Sequence, residues 1–198
     1  LKHLRICFVG DSFVNGTGDP YCLGWAGRIC AAAQQEGHEI TYYNLGIRRQ
    51  TSLEIAQRWQ AEVLQRLPAD CDGRLVFSFG VNDTVYEDGR PRVAPRESLQ
   101  HAREMLQRAQ ALRPTLMVGP PPMPEDEQNQ RIAWLSARFD QLCQELAIPY
   151  LATFEPLLRV EAWKSEALAN DGAHPRAHGY SAFAQLVQGW PAWQAWFD

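Results

Sequence analysis

The sequence predicts an α/β fold: a parallel sheet of about five strands with helices on both faces. Three observations lead there. Short apolar runs at 4–9, 40–45, 75–79, 115–118 and 149–151 alternate with longer stretches at 25–36, 53–67, 97–112 and 129–146. The longer stretches place apolar residues three and four apart, the spacing of a helix face. The first run stops at Gly10-Asp11-Ser12, a dozen residues into the chain, so that a hydroxyl sits just past a strand end. Ligands of open α/β sheets bind at that edge.

Taken in order, the run 4–9 has the length and apolar content of a buried strand with no polar face. The stretch 25–36 is the first long helix, and 40–45 the second strand. Within 53–67, Leu53, Ala56, Trp59, Val63 and Leu67 trace a core-facing stripe. A third strand at 75–79, a helix at 97–112 and a fourth strand at 115–118 follow. The segment GPPPMPEDEQ, 119–128, reads as a loop at the carboxyl edge of the sheet, with acidic residues suited to the helix N-terminus that comes next. After the helix at 129–146 and the short strand at 149–151, the tail GWPAWQAWFD spaces Trp190, Trp193, Trp196 and Phe197 as one face of a C-terminal helix packed on the core. A substrate wall or a dimer contact is the competing reading of those rings.

The 198 residues are expected to form one domain, 1–198, without repeats or low-complexity tracts. Nineteen basic against 23 acidic residues, with no basic run, argue against nucleic acid as a partner. Cys7, Cys22, Cys30, Cys71 and Cys143 are odd in number and lack a CxxC pair, so buried free thiols are expected rather than disulfides or zinc. No apolar stretch reaches the ~18 residues of a membrane span. The opening LKHLRICFVG reads as a strand rather than a signal peptide, and a cytoplasmic location is the expectation.

The loops after successive strands carry the polar content: Gly10-Asp11-Ser12, then Gly46-Ile47-Arg48-Arg49-Gln50-Thr51, then Gly80-Val81-Asn82-Asp83. Near the C-terminus, DGAHPRAHGY holds Asp171 three residues before His174. Acyl transfer needs a nucleophilic hydroxyl, an imidazole base, an acid to orient the ring, and donors aimed at the oxyanion. Each is offered once. Ser12 also fits a helix cap, Asn82 a turn former, and Asp11 a turn residue rather than a catalytic acid. His174 and His178 lie four apart, but Pro175 argues against a helix carrying both as metal ligands, and no third ligand is marked. His178 is read as a surface or helix-start residue.

These blocks, GDSFVNG, NLGIRRQTS, GVND and DGAHP, resemble those of the SGNH or GDSL-type hydrolases in order and spacing, from Gly10 to Tyr180. The resemblance implies a three-layer, doubly wound, flavodoxin-like sheet. It also implies hydrolysis of esters, thioesters or acetyl groups on a small-molecule substrate, with no cofactor and no metal. By position, Ser12 matches the nucleophile, His174 the base and Asp171 its orienting acid. The oxyanion donors match the N–H groups of Ser12 and Arg49 and the side chain of Asn82. One residue departs from the pattern: Arg49 stands where the family usually has glycine. Its backbone N–H survives the change, but the guanidinium can narrow the site, bind a substrate anion or point away. Gly46 is expected to be a turn residue with unusual backbone angles. Arg48 and Trp25 are candidates for lining the substrate pocket. The leading expectation is a serine esterase. The alternatives are a carbohydrate acetylesterase, thioesterase or lysophospholipase with the same triad, or a non-catalytic binding protein with Arg49 blocking the hole.

Overall fold

A computed structural model describes residues 3–198. The chain runs β1 (His3–Gly10), α1 (Ser12–Asn15), α2 (Gly24–Gln35), β2 (Glu39–Gly46), α3 (Ser52–Arg66), β3 (Asp72–Ser78) and the 3-10 turn Asn82–Thr84. A two-stranded antiparallel hairpin, β4 (Tyr86–Glu87) and β5 (Arg90–Pro91), comes next. Then follow α4 (Pro95–Leu112), β6 (Thr115–Val118), α5 (Asp126–Glu145), β7 (Tyr150–Leu151), α6 (Phe154–Leu158), α7 (Glu161–Ala169), α8 (Ala177–Gln188) and α9 (Pro191–Gln194). Five parallel strands form the main sheet, in the order β2-β1-β3-β6-β7.

Alternation along β1 divides the core. Leu4, Ile6 and Phe8 point into one apolar layer with Trp25 and Ile29 of α2, Trp163 of α7, Phe183 of α8 and Trp193 of α9. Cys7 and Val9 point into the other, with Ile55, Trp59 and Val63 of α3, Met105 of α4 and Phe139 of α5. Successive strand side chains face opposite sides, so a strand covered on both faces must be apolar throughout. The stripe on α3 is rotated from the expected one. Ile55, Trp59, Val63 and the following Leu67 are buried, Ala56 is half-buried and Leu53 is 45% exposed.

The topology fixes the position of the site. From β1 the chain crosses to β2 on one side and returns to β3 on the other, so the carboxyl ends of β1 and β3 flank the crevice where the connections diverge. Ser12 follows the first of these strands and Asn82 the second.

The aromatic tail packs on the core as expected, with Trp193 buried beside Phe8 and Trp190, Trp196 and Phe197 against the same layer, but the helix it forms is only the single turn α9. All five cysteines are free, but Cys22 is exposed and Cys71 half-buried rather than in the core.

Candidate active site

Gly10 ends β1 without a side chain because none fits: a Cβ there would lie 2.0 Å from the Ser78 carbonyl oxygen. Asp11 then caps α1, its Oδ1 accepting from the Phe13 N–H at 2.9 Å. That cap starts a helix at Ser12, whose own N–H is left without an intrahelical partner. Burial pushes the Asp11 carboxyl up to about 7, against the pull of the Phe13 N–H, and its Oδ2 has no protein partner.

The far end of the chain meets this turn. Asp171 Oδ1 accepts the N–H groups of Ala173 (3.0 Å) and His174 (2.8 Å), folding the loop so that its Oδ2 meets His174 Nδ1 at 2.8 Å. The other ring nitrogen, Nε2, lies 2.7 Å from Ser12 Oγ. Burial works against the Asp171 carboxylate, but those N–H groups and the imidazole outweigh it and hold its pKa at about 2. Burial lowers the His174 pKa; Asp171 opposes this and Arg48 adds to it. The ring therefore stays neutral at neutral pH, with one nitrogen bonded to the carboxylate and the other facing the hydroxyl.

The second and third loops are laced together opposite Ser12. Asn82 Nδ2 donates to the Gln50 carbonyl (3.0 Å), and the Ser52 N–H donates to Asp83 Oδ1 (2.7 Å). Arg49 adopts a left-handed backbone, φ +70°, and its side chain reaches Glu87 of the hairpin at 3.6 Å. A cleft of about 260 Å³ brings together Ser12, His174, Asp171, Asn82, Arg48 and Arg49. Phe13, Val81, Val85 and Met123 supply its apolar walls.

The family model for GDSL-like lipases and acylhydrolases matches residues 8–182, nearly the whole chain and all of these loops. The chain belongs to the GDSL-like lipase/acylhydrolase family. As a member it is an ester-hydrolysing enzyme. Solved structures similar to this family member include a lipase/acylhydrolase from Enterococcus faecalis, 19% identical over 95% of this chain and 94% of that one, with a TM-score of 0.75. Axe2, an acetylxylan esterase from Geobacillus stearothermophilus, is 16% identical over 95% of each chain, with a TM-score of 0.77. LAE5, an α/β hydrolase from the metagenome of Lake Arreo, Spain, is 17% identical over 92% of each chain, with a TM-score of 0.75. At these identities the likeness is one of fold. No curated protein matches the chain.

Two expectations about this GDSL-family site are corrected. Trp25 is not a pocket wall: it is fully buried in the core, stacked on Phe183 with ring centroids 4.9 Å apart. Its apolar bulk is used to pack α2 against α8. Gly46 is constrained by space rather than by backbone angle, since a Cβ there would lie 2.3 Å from the Asn15 nitrogen and 2.6 Å from the Asp11 carbonyl oxygen. The positive φ of that loop falls on Arg49. Arg48 does line the cleft, where its guanidinium donates to Asp171 Oδ2 at 3.1 Å. His178, exposed near the start of α8, pairs with Glu166 at 2.8 Å.

Several supporting residues escaped the sequence reading. Glu166 on α7 accepts the N–H groups of Arg176, His178 and Gly179, capping α8 from outside and fixing the chain just after His174. Arg58 on α3 donates to the Gly10 carbonyl at 2.9 Å and to Gln50, tying the first loop to the second. Asp19 pairs with Arg28 and accepts the N–H groups at the start of α2. The Glu166 cap and the tie from Arg58 to Gly10 join residues 10 to 48 positions apart and have no local signature in sequence spacing. Among the described residues no group of three or more His, Cys, Asp or Glu is placed to hold a metal ion, and no helix is long and apolar enough to cross a membrane.

Proposed function

We propose that the chain is a serine esterase working through an acyl-enzyme, with Ser12 as nucleophile, His174 as general base and Asp171 as the acid that orients it. The observation that carries this reading is the unbroken line from Asp171 Oδ2 to His174 Nδ1 at 2.8 Å and from His174 Nε2 to Ser12 Oγ at 2.7 Å. His174 takes the hydroxyl proton as Ser12 Oγ attacks the ester carbonyl. The oxyanion is held by the N–H groups of Ser12 and Arg49 and by Asn82 Nδ2. The imidazolium then protonates the leaving alkoxide, and in the second half-reaction His174 deprotonates a water that attacks the acyl-enzyme. Asp171, with its pKa near 2, stays ionised throughout.

The cleft favours a short acyl group. Phe13, Val81, Val85 and Met123 supply only part of the wall of a cleft of about 260 Å³, and charged residues close the rest, which leaves a long acyl chain little apolar surface. Its rim of Arg48, Arg49 and Glu87 offers hydrogen-bonding groups to the alcohol portion. A second reading follows from that rim: the alcohol is a carbohydrate hydroxyl, as the name of the similar Axe2 acetylxylan esterase suggests.

The test is labelling by a fluorophosphonate, with hydrolysis of p-nitrophenyl esters from acetyl to long acyl and release of acetate from acetylated xylo-oligosaccharide. Wild type labels and turns over short esters fastest; Ser12→Ala does neither. Turnover retained in Ser12→Ala refutes the mechanism.

A further inference from the structure

The residue occupying the glycine position of the second loop carries an unusual backbone. At φ +70°, Arg49 sits in the left-handed region that an L side chain enters at a cost, and glycine enters freely. The turn bond from the Gln50 N–H to the Ile47 carbonyl, 3.3 Å, spans this residue, and contacts from outside the loop reinforce it.

The hairpin does so. Its turn, Asp88-Gly89, has φ +53° and +75°, the two-residue geometry that joins short antiparallel strands tightly. Across the strands, the Arg92 N–H donates to the Val85 carbonyl at 2.9 Å, and the Val93 N–H to the Asp83 carbonyl at 3.2 Å. From α5, Arg131 stacks over the Tyr86 ring at 4.3 Å and donates to the Thr84 carbonyl at 2.9 Å. The hairpin is thereby a braced arm extending from the Asn82-Asp83 loop toward the Arg49 loop.

Beside it, the Arg92 guanidinium, 17% exposed, is shared three ways. Nη1 donates to the Arg49 carbonyl at 2.9 Å, Nε lies 3.6 Å from Glu87 Oε1, and Nη2 lies 3.8 Å from Glu54 Oε2. Glu87 Oε1 is the same oxygen that meets the Arg49 side chain at 3.6 Å. Glu54 Oε2 itself accepts the Thr51 N–H at 2.7 Å, fixing the end of the loop. Arg49 is held from both its carbonyl and its side chain.

We propose that Arg92, aided by Glu87, is a positioning residue that clamps Arg49 in its left-handed conformation and so aims the Arg49 N–H at the oxyanion. The proposal rests on the oxyanion role assigned to that N–H above. It replaces intrinsic glycine freedom with an external brace and ties the Arg49 carbonyl to the hairpin that follows the Asn82-Asp83 loop.

The test is a double-mutant cycle on Ser12-dependent hydrolysis of p-nitrophenyl acetate, with kcat and KM measured for wild type, Arg92→Ala, Arg49→Gly and the double variant. Removing the clamp releases an arginine from a conformation it disfavours, but releases a glycine from one it tolerates. Arg92→Ala therefore lowers kcat about tenfold in the wild-type background, with KM little changed, and only about twofold in the Arg49→Gly background. Arg92→Lys, which cannot reach all three partners at once, falls between wild type and Arg92→Ala. Equal losses in both backgrounds overturn the clamp, as does a change confined to KM, which would make Arg92 a substrate contact. If Arg92→Ala melts below the assay temperature, the cycle is run with Arg92→Lys and judged by the same ratio. Loss of Ser12 dependence would instead refute the serine mechanism, so the two failures are distinguishable.

Discussion

The two walls of the cleft are held in different ways. On one side, Ser12 and His174 are 3% and 6% exposed and lie against Phe13, whose ring is 5.0 Å from the imidazole and 5.9 Å from Trp163. Trp163 is itself buried and donates from Nε1 to the Pro122 carbonyl at 2.9 Å. On the other side, the Arg49 side chain is 74% exposed, and the loop is set by directional contacts to Arg92, Glu87 and Asp83. Burial is non-directional and shared with the whole core, so the first wall is as stable as the fold. The second depends on a few polar contacts that can be lost while the core stays intact. Lesions on the first wall are expected to remove stability and activity together, and lesions on the second to remove activity alone.

The strongest attack on that contrast is Trp163→Ala. Truncating a buried tryptophan costs about 3–5 kcal/mol, and here it also leaves the Pro122 carbonyl without its donor. Denaturant melts should show the full loss, with residual activity following the folded fraction. On the other wall, Asn82→Ala should lower kcat by about 10²- to 10³-fold, the usual cost of one oxyanion donor. Its melting transition should stay close to wild type, because the lost contact to the Gln50 carbonyl is only part-buried. A large drop in stability for Asn82→Ala would erase the distinction between the walls.

The same contrast governs what the sequence disclosed. Strands such as Thr115–Val118 announce themselves as continuous apolar runs, and helices such as α2 and α4 through periodicity, because burial imposes both. Ser12, Asn82 and Arg49 were legible as family blocks at strand ends, and Asp171 and His174 as a block near the C-terminus, and the structure gathers them in one cleft. The hairpin was not legible. Its strands are two residues each and mostly exposed, too short for any period to register. Nor was the role of Trp163, since α7 is short and its single buried aromatic has no helical stripe around it. The expectation for Trp25 failed because proximity in sequence to Ser12 says nothing about which sheet face a helix buries. For Gly46 the inference chose conformational freedom over close approach, two demands that a glycine in a sequence cannot distinguish.

The smallest effect tests whether the exposed wall also tunes the buried one. Arg48 Nη2 and His174 Nδ1 share Asp171 Oδ2, and the arginine is 59% exposed. In the proposed mechanism only the neutral imidazole accepts the serine proton, so kcat/KM is expected to fall on the acid side as His174 protonates. Because the His174 pKa lies below the ordinary 6.5, first through burial and in part through Arg48, that limb lies below pH 6.5. Arg48→Gln removes a positive charge that disfavours the imidazolium. The pKa rises and the limb moves to higher pH, whatever the height of the plateau above it. Salt acts on the same exposed guanidinium. Raising ionic strength should move the wild-type limb in the same direction and leave that of Arg48→Gln nearly still. A limb unmoved by the substitution would mean that Asp171 and burial alone set the histidine, and that the two walls are electrostatically independent.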